Sequence, residues 1–191
     1  ITGIGQGYTQ TTPLQLCLMT AQIANGGYTI NPKIIVNNNP LNFNEVKKSF
    51  KQQNLLNINT KLVKNPKNLR IIQEAMFSST NEIRGTSYRS RIDDKKYQFA
   101  GKTGTAQVKR ISKRERELDL KIDQIPYNDR DHALYIAYGP YVNPRYALSI
   151  IVEHGGSGSK AAAPIAKELF KLIIDREELR DKQSNFEKLD I

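Results

Sequence analysis

Apolar positions recur at helical spacing in three stretches of the chain and at strand-like density in three others. Leu14, Leu16, Leu18, Met19 and Ile23 follow Thr12-Pro13, a hydroxyl suited to a helix cap and a proline suited to a first turn. Asn25-Gly26-Gly27 ends this helix, because glycine accepts the left-handed backbone. Leu69, Ile72, Ala75 and Met76 predict a second helix over Pro66 to Phe77. Ile165, Leu169, Leu172 and Ile173 predict a third, from about Ala161 to Arg180, with these four as its buried stripe. Strands are expected at Tyr97 to Val108, His132 to Tyr138 and Tyr146 to Glu153. Pro140 to Arg145 reads as a tight hairpin between the last two.

Polar and glycine-rich stretches separate these elements. A glycine-rich loop, Gly3-Ile4-Gly5-Gln6-Gly7-Tyr8, precedes the first helix, and Tyr28 to Val36 reads as a short extended segment. Residues 37–59 are rich in Asn, Lys and Gln and read as a surface excursion. Lys109 to Asp131 alternates charges and reads as a solvated excursion with a short helix. Gly155-Gly156-Ser157-Gly158 is a flexible break before the last helix. Helices, then an antiparallel meander, then a helix make an α+β pattern. Residues 1–180 are expected to form one partial domain and 181–191 a frayed tail.

Charge and composition narrow the function classes. The 191 residues carry a net charge of +10, with 13 Lys and Arg against 5 Asp and Glu in residues 1–100 and 16 against 14 in 101–191. The lysines are scattered among asparagines with few aromatics between them, so nucleic-acid binding is a minority reading. One cysteine, Cys17, allows no internal disulfide, and with two histidines a metal site of ordinary spacing is not expected. No cofactor is implied. No apolar run reaches transmembrane length, and the chain starts at Ile1, so it reads as part of a longer protein whose targeting segment lies upstream.

The candidate chemistry is Lys102-Thr103-Gly104-Thr105. A cation, two hydroxyls and a residue without a side chain sit on a predicted strand, a combination able to bind an extended peptide ending in a carboxylate. A phosphate-binding loop would need glycine where Lys96 stands and a helix where Thr105-Ala106-Gln107-Val108 continues a strand. Gly155-Gly156-Ser157-Gly158-Ser159 lacks the last glycine of a nucleophile elbow. Lys-Thr-Gly is also one of three motifs of serine acyl-transferases, the others being Ser-x-x-Lys and Ser-x-Asn. Ser157-Gly158-Ser159-Lys160 and Ser79-Thr80-Asn81 fit those patterns. With 10 Ser, 18 Lys and 16 Asn in 191 residues, about one match of each arises by chance. Both also fall in the wrong order, so both are decoys.

The flanks carry more information. Gly5-Gln6-Gly7-Tyr8, Thr12-Pro13-Leu14-Gln15-Leu16, Asn25-Gly26-Gly27, Lys102 to Val108, Pro140-Tyr141 with Asn143-Pro144-Arg145-Tyr146-Ala147, and Gly155-Gly156 before Ala161-Ala162-Ala163-Pro164-Ile165-Ala166 occur in this order. The set resembles the C-terminal half of the transpeptidase domain of class B penicillin-binding proteins, over about residues 3–175, and points to the cell-elongation branch rather than the division branch. A serine β-lactamase is a poorer fit to the Gly-Gln-Gly-Tyr and Asn-Pro-Arg-Tyr blocks.

The resemblance implies the C-terminal portion of the penicillin-binding-protein and serine β-lactamase-like transpeptidase fold, an antiparallel sheet packed by helices. It implies a D,D-transpeptidase that cross-links peptidoglycan stem peptides and is acylated by β-lactams. It places the full-length protein on the periplasmic face of the bacterial inner membrane, anchored upstream and partnered by a membrane glycosyltransferase of the elongation machinery. Lys102 would supply positive potential to the nucleophile and substrate, Thr103 and Thr105 would bind the terminal carboxylate, and Gly104 would let the substrate backbone approach. The Thr105 N–H would form half of an oxyanion hole. In the family the nucleophilic serine and the Ser-x-Asn lie upstream of the Gly-Gln-Gly block. The chain is therefore expected to hold one wall of an active site and to be inactive alone, or else to be a scaffold remnant of a split gene. The incomplete sheet is expected to expose an unpaired edge and an apolar face.

Overall fold

A computed structural model describes residues 10–32, 60–109 and 120–189, with side chains through residue 180. The Gly5-Gln6-Gly7-Tyr8 block and the excursion over 37–59 lie outside the described residues. Helix α1 spans Pro13–Ala24, α2 spans Pro66–Asn81 and α3 spans Ala163–Leu189. Strands β1 (Ala100–Ala106), β2 (His132–Gly139) and β3 (Tyr146–Val152) form an antiparallel sheet in the order β1-β2-β3.

Local chemistry sets the helix ends. Thr12 caps α1 in a reciprocal pair: its hydroxyl accepts from the Gln15 N–H and the Gln15 side chain accepts from the Thr12 N–H. Gly26 and Gly27 at φ +90° and +85° turn the chain out of α1. Helix α2 runs four residues past its predicted end at Phe77. Ser78-Ser79-Thr80-Asn81 carries no apolar signal, yet Thr80 and Asn81 bond back to the carbonyls of Met76 and Phe77. The extended segment expected from Tyr28 reduces, among the described residues, to a single bridge between Tyr28 and Lys61. Between β1 and β2 the described part of the excursion holds two short 3-10 turns, Ile122–Gln124 and Tyr127–Asp129.

The sheet is covered on both faces. Alternation along the strands puts Ala133, Tyr135, Ala137, Leu148 and Ile150 on one face, against Ala163, Ala166, Phe170 and Ile174 of α3. Ala100, Ile136, Tyr138 and Ala147 point the other way, toward Ile23, Ala24, Met76 and Phe77 of α1 and α2. Cys17 rests against the Ala147 carbonyl, and burial raises its thiol pKa. The outer sides of α1 and α2 leave Leu14, Met19, Ile71 and Ile72 exposed.

The buried stripe of α3 differs from the predicted one. Ile165 and Leu172 are exposed, while Ala163, Ala166, Phe170 and Ile174 are fully buried. Alanine gives a weak hydrophobic signal in sequence, but it lets the helix backbone approach strands that offer Ala133, Ala137 and Gly139. The helix is preceded by a wide turn, Gly158–Ala162, and continues to Leu189, past the predicted end at Arg180. Gly158 is forced by this approach: a Cβ there would lie 2.4 Å from the Leu134 carbonyl oxygen and 2.8 Å from that of Gly104.

The chain leading into β1 is fastened to α3. Phe99 stacks on Phe170 at 4.8 Å between ring centroids. Lys96 Nζ reaches Glu178 at 2.8 Å and Asp175 at 3.3 Å, and the Tyr97 hydroxyl donates to Asp175. The Tyr97 hydrogen bond, then Lys96, hold the Asp175 carboxyl below its usual range. Glu178, then Tyr97, hold the Lys96 ammonium above its own.

Two stability predictions follow from this packing. A Cβ on Gly101 would sit 2.3 Å from the Tyr135 hydroxyl, whereas one on Gly104 would meet nothing closer than Leu134 Cβ at 3.4 Å. Gly101→Ala should destabilise the chain by about 2 kcal/mol in urea unfolding, and Gly104→Ala should stay within about 0.5 kcal/mol of wild type. The contribution of Asp175 is present above the ordinary carboxylate pKa and is lost as pH falls through the depressed value. That of Lys96 persists until pH rises through its raised value. Lys96→Met should therefore lower Tm at neutral pH, and the difference from wild type should shrink toward about pH 2.

Candidate functional site

The four candidate residues lie together on the outermost strand of the described sheet. One side of β1 pairs with β2, matching Lys102 with Ile136, Thr103 with Tyr135, Gly104 with Leu134 and Thr105 with Ala133. No described strand pairs with its other side. Lys102 and Thr105 are exposed, and Thr103 and Gly104 are half-buried. Lys102 and Gly104 belong to the sheet face covered by α1 and α2, and Thr103 and Thr105 to the face covered by α3. The Lys102 ammonium folds back to donate to the Thr103 carbonyl at 2.9 Å and lies 3.5 Å from the Thr103 hydroxyl. A cation and a hydroxyl thus converge at one point of an open strand edge, which suits an extended ligand bearing an anionic end.

A buried hydroxyl cluster holds this strand in place. The Tyr135 side chain runs beneath Gly101, and its hydroxyl lies 2.9 Å from Thr80 Oγ1 and 3.0 Å from Ser87 Oγ. Burial raises the Tyr135 pKa, so the phenol keeps its proton as a donor. The Asn81 side-chain amide donates to the Phe99 carbonyl at 2.9 Å, pinning the entry to β1 against the end of α2. On the face covered by α3, Gly158 presses directly on the backbone at Gly104.

Two further hydroxyls stand beside the strand: Thr86, which no motif in the sequence marks, and Ser79, which the motif count set aside as a chance match. Thr86 Oγ1 is 3.1 Å from Thr103 Oγ1, and Ser79 Oγ is 3.2 Å from Thr86 Oγ1. The only trace of Thr86 in sequence is Gly85-Thr86-Ser87, a glycine and two hydroxyls just past a helix end. Next to them an open, mostly apolar cleft of about 510 Å³ is lined by Ile23, Ile72, Met76, Ile136, Thr86 and Lys102, among others.

The remaining candidates have other employment. In Ser79-Thr80-Asn81, Thr80 and Asn81 are structural, and Ser79 joins the hydroxyl row. Ser157 pairs with Ser159 at 3.0 Å, and Lys160 is exposed. His132 stands opposite Ala106, and its Nδ1 accepts from the His154 N–H at 2.9 Å. Among the described residues no three His, Cys, Asp or Glu side chains gather as a metal set.

Known proteins share this arrangement of sequence and fold. Residues 1–171 match the family model described as the penicillin-binding protein transpeptidase domain. A peptidoglycan D,D-transpeptidase of Salmonella typhimurium is 31% identical over 175 residues, which cover 91% of this chain and 26% of the relative. One from Haemophilus influenzae is 31% identical over 180 residues, covering 91% of this chain and 25% of the relative. The chain thus spans about a quarter of the length of these relatives. Among solved structures, penicillin-binding protein 2 of Pseudomonas aeruginosa, in complex with WCK 5153, superposes with a TM-score of 0.62 at 30% identity, over 89% of this chain and 32% of that one. Penicillin-binding protein 2 of Helicobacter pylori, in its complex with MreC, gives 0.61 at 33% identity, over 90% and 27%. With its motif strand at the sheet edge and its family match across almost the whole length, the chain belongs to the penicillin-binding protein transpeptidase domains.

Proposed function

We propose that the full-length protein containing this chain is a peptidoglycan D,D-transpeptidase of cell-wall elongation, and that this chain supplies the substrate-binding strand. The observation that carries the reading is the outer side of β1, which no described strand covers and where Lys102, Thr103 and Thr105 stand together. A stem peptide ending in D-Ala-D-Ala would add as a further strand, its terminal carboxylate meeting the Thr103 and Thr105 hydroxyls and the Lys102 charge.

Gly104 supports the same reading. Gly101 is glycine because Tyr135 occupies its side-chain space, but nothing described so constrains Gly104. A missing side chain at an open position leaves room for a ligand backbone. A serine from elsewhere in the full-length protein would attack the carbonyl of the penultimate D-Ala. The Thr105 N–H would stabilise the resulting oxyanion, an interaction worth about 3 kcal/mol of barrier. Collapse of the tetrahedral intermediate expels the terminal D-Ala and leaves an acyl-enzyme. An amine of a neighbouring peptide then attacks the ester, restores the serine and forms the cross-link. A β-lactam would acylate the same serine and leave it blocked.

The fuller setting is part of the proposal. The protein would act on the periplasmic face of the inner membrane through an anchor outside this chain. It would work with elongation-machinery partners, including a membrane glycosyltransferase. The Helicobacter pylori relative was solved with MreC, which fits a protein of such an assembly.

Labelling with a fluorescent penicillin tests the reading. The full-length protein should form a stable adduct, and the 191-residue chain alone should not. A stable adduct on the isolated chain would show that a nucleophile lies within it. In the full-length protein Lys102→Ala should slow acylation about a hundredfold with little change in Tm, since Lys102 is exposed.

A further inference from the structure

We infer that Thr86 is a positioning residue for the reaction proposed above, aligning the Thr103 hydroxyl so that its proton faces the carboxylate of a bound peptide or β-lactam. The inference rests on that functional reading and adds a residue outside the Lys-Thr-Gly-Thr motif.

Ser79, Thr86 and Thr103 form a row of hydroxyls from the end of α2 to the edge strand, with oxygens 3.2 Å and 3.1 Å apart. Each hydroxyl has one proton to give and two lone pairs to receive, so the row can run in either direction. A carboxylate only accepts. Once it takes the Thr103 proton, Thr103 must accept from Thr86, and Thr86 from Ser79. Hydrogen bonds running one way polarise one another, so the last donor is strengthened by those behind it. The Lys102 ammonium, 3.5 Å from Thr103 Oγ1 and a donor only, favours the same direction. Without Thr86, the Thr103 hydroxyl would turn freely about its Cβ–Oγ bond and would lose this support.

The turn that carries Thr86 is built for close approach. The Glu82 N–H donates to the Ser78 carbonyl, the Gly85 N–H to the Glu82 carbonyl and the Ser87 N–H to the Ser79 carbonyl, at 3.1, 2.8 and 3.0 Å. A Cβ on Gly85 would lie 2.3 Å from the Ser79 carbonyl oxygen and 2.5 Å from that of Ser78, so only glycine lets the turn fold back this tightly. Ser87 is buried beneath the turn, where its hydroxyl meets Tyr135 and the Ser79 carbonyl. Thr86 itself is exposed. It fills no core space, and its hydroxyl lies within hydrogen-bond reach of Thr103 and Ser79. A threonine so placed serves the strand edge rather than the fold.

The test compares acylation of the full-length protein by benzylpenicillin and by its methyl ester, which lacks the charged acceptor. Thr86→Val removes the donor at nearly constant shape, and Thr86→Ser keeps it. Thr86→Val should slow acylation by the free acid about tenfold, leave the ester rate unchanged and leave Tm unchanged. Thr86→Ser should retain the wild-type rate with both. Equal slowing with acid and ester, an unaffected acid rate in Thr86→Val, or a Thr86→Ser as slow as Thr86→Val would each overturn the inference alone. A wild-type protein that the free acid does not acylate would overturn the transpeptidase reading, and the inference with it.

Discussion

The approach of Tyr135 to Gly101 is the contact on which the rest of this structure depends. Its side chain, fully buried, runs from the central strand under the edge strand and ends in a hydroxyl bonded to Thr80 and Ser87. One residue thereby joins β2, β1, the end of α2 and the turn beyond it. A buried phenol without partners would cost more than its burial returns, so the hydroxyl cluster and the ring are needed together. Glycine at 101 is the condition for both, since any Cβ would overlap the phenol oxygen.

The motif strand is consequently held at several points along its length, while no described strand pairs with its outer side. Tyr135 supports it from below, Asn81 fastens its entry, and Gly158 lets the start of the α3 segment press on Gly104. The ion pairs of Lys96 with Asp175 and Glu178 fasten the preceding loop to α3. Under the proposed function such support would matter, because donors already in position need no reorganisation when charge develops. Free edges are normally protected in proteins. Here the edge carries Lys102 and polar hydroxyls, which keep it hydrated and, under the proposed function, would meet the anionic end of a peptide.

Much of the fold was legible along the chain because it rests on local signals. Thr12-Pro13 and Asn25-Gly26-Gly27 bracket α1 where the cap and turn chemistry place it, and the three strands fall where apolar residues crowd. Apolar spacing loses the fold where polar or small residues govern. The last turn of α2 is held by side-chain-to-backbone hydrogen bonds, so hydrophobic spacing could not extend it. The buried stripe of α3 departs from the predicted one because it combines two alanines with Phe170 and Ile174, whereas Ile165 and Leu172 face outward. Close packing on the sheet selects Ala163 and Ala166.

The sequence by itself determined the α+β order of elements, the edge motif Lys102-Thr103-Gly104-Thr105 and, through the order of its flanking blocks, the family. These are properties of consecutive residues, and consecutive residues are what local sterics and short motifs encode. Only the tertiary structure decided which hydroxyls stand beside that motif and which glycines the fold itself requires. Thr86 meets Thr103 across 17 positions, and Tyr135 meets Thr80 across 55. Such pairings depend on how a helix end, a turn and two strands close on one another, and no spacing along the chain records that.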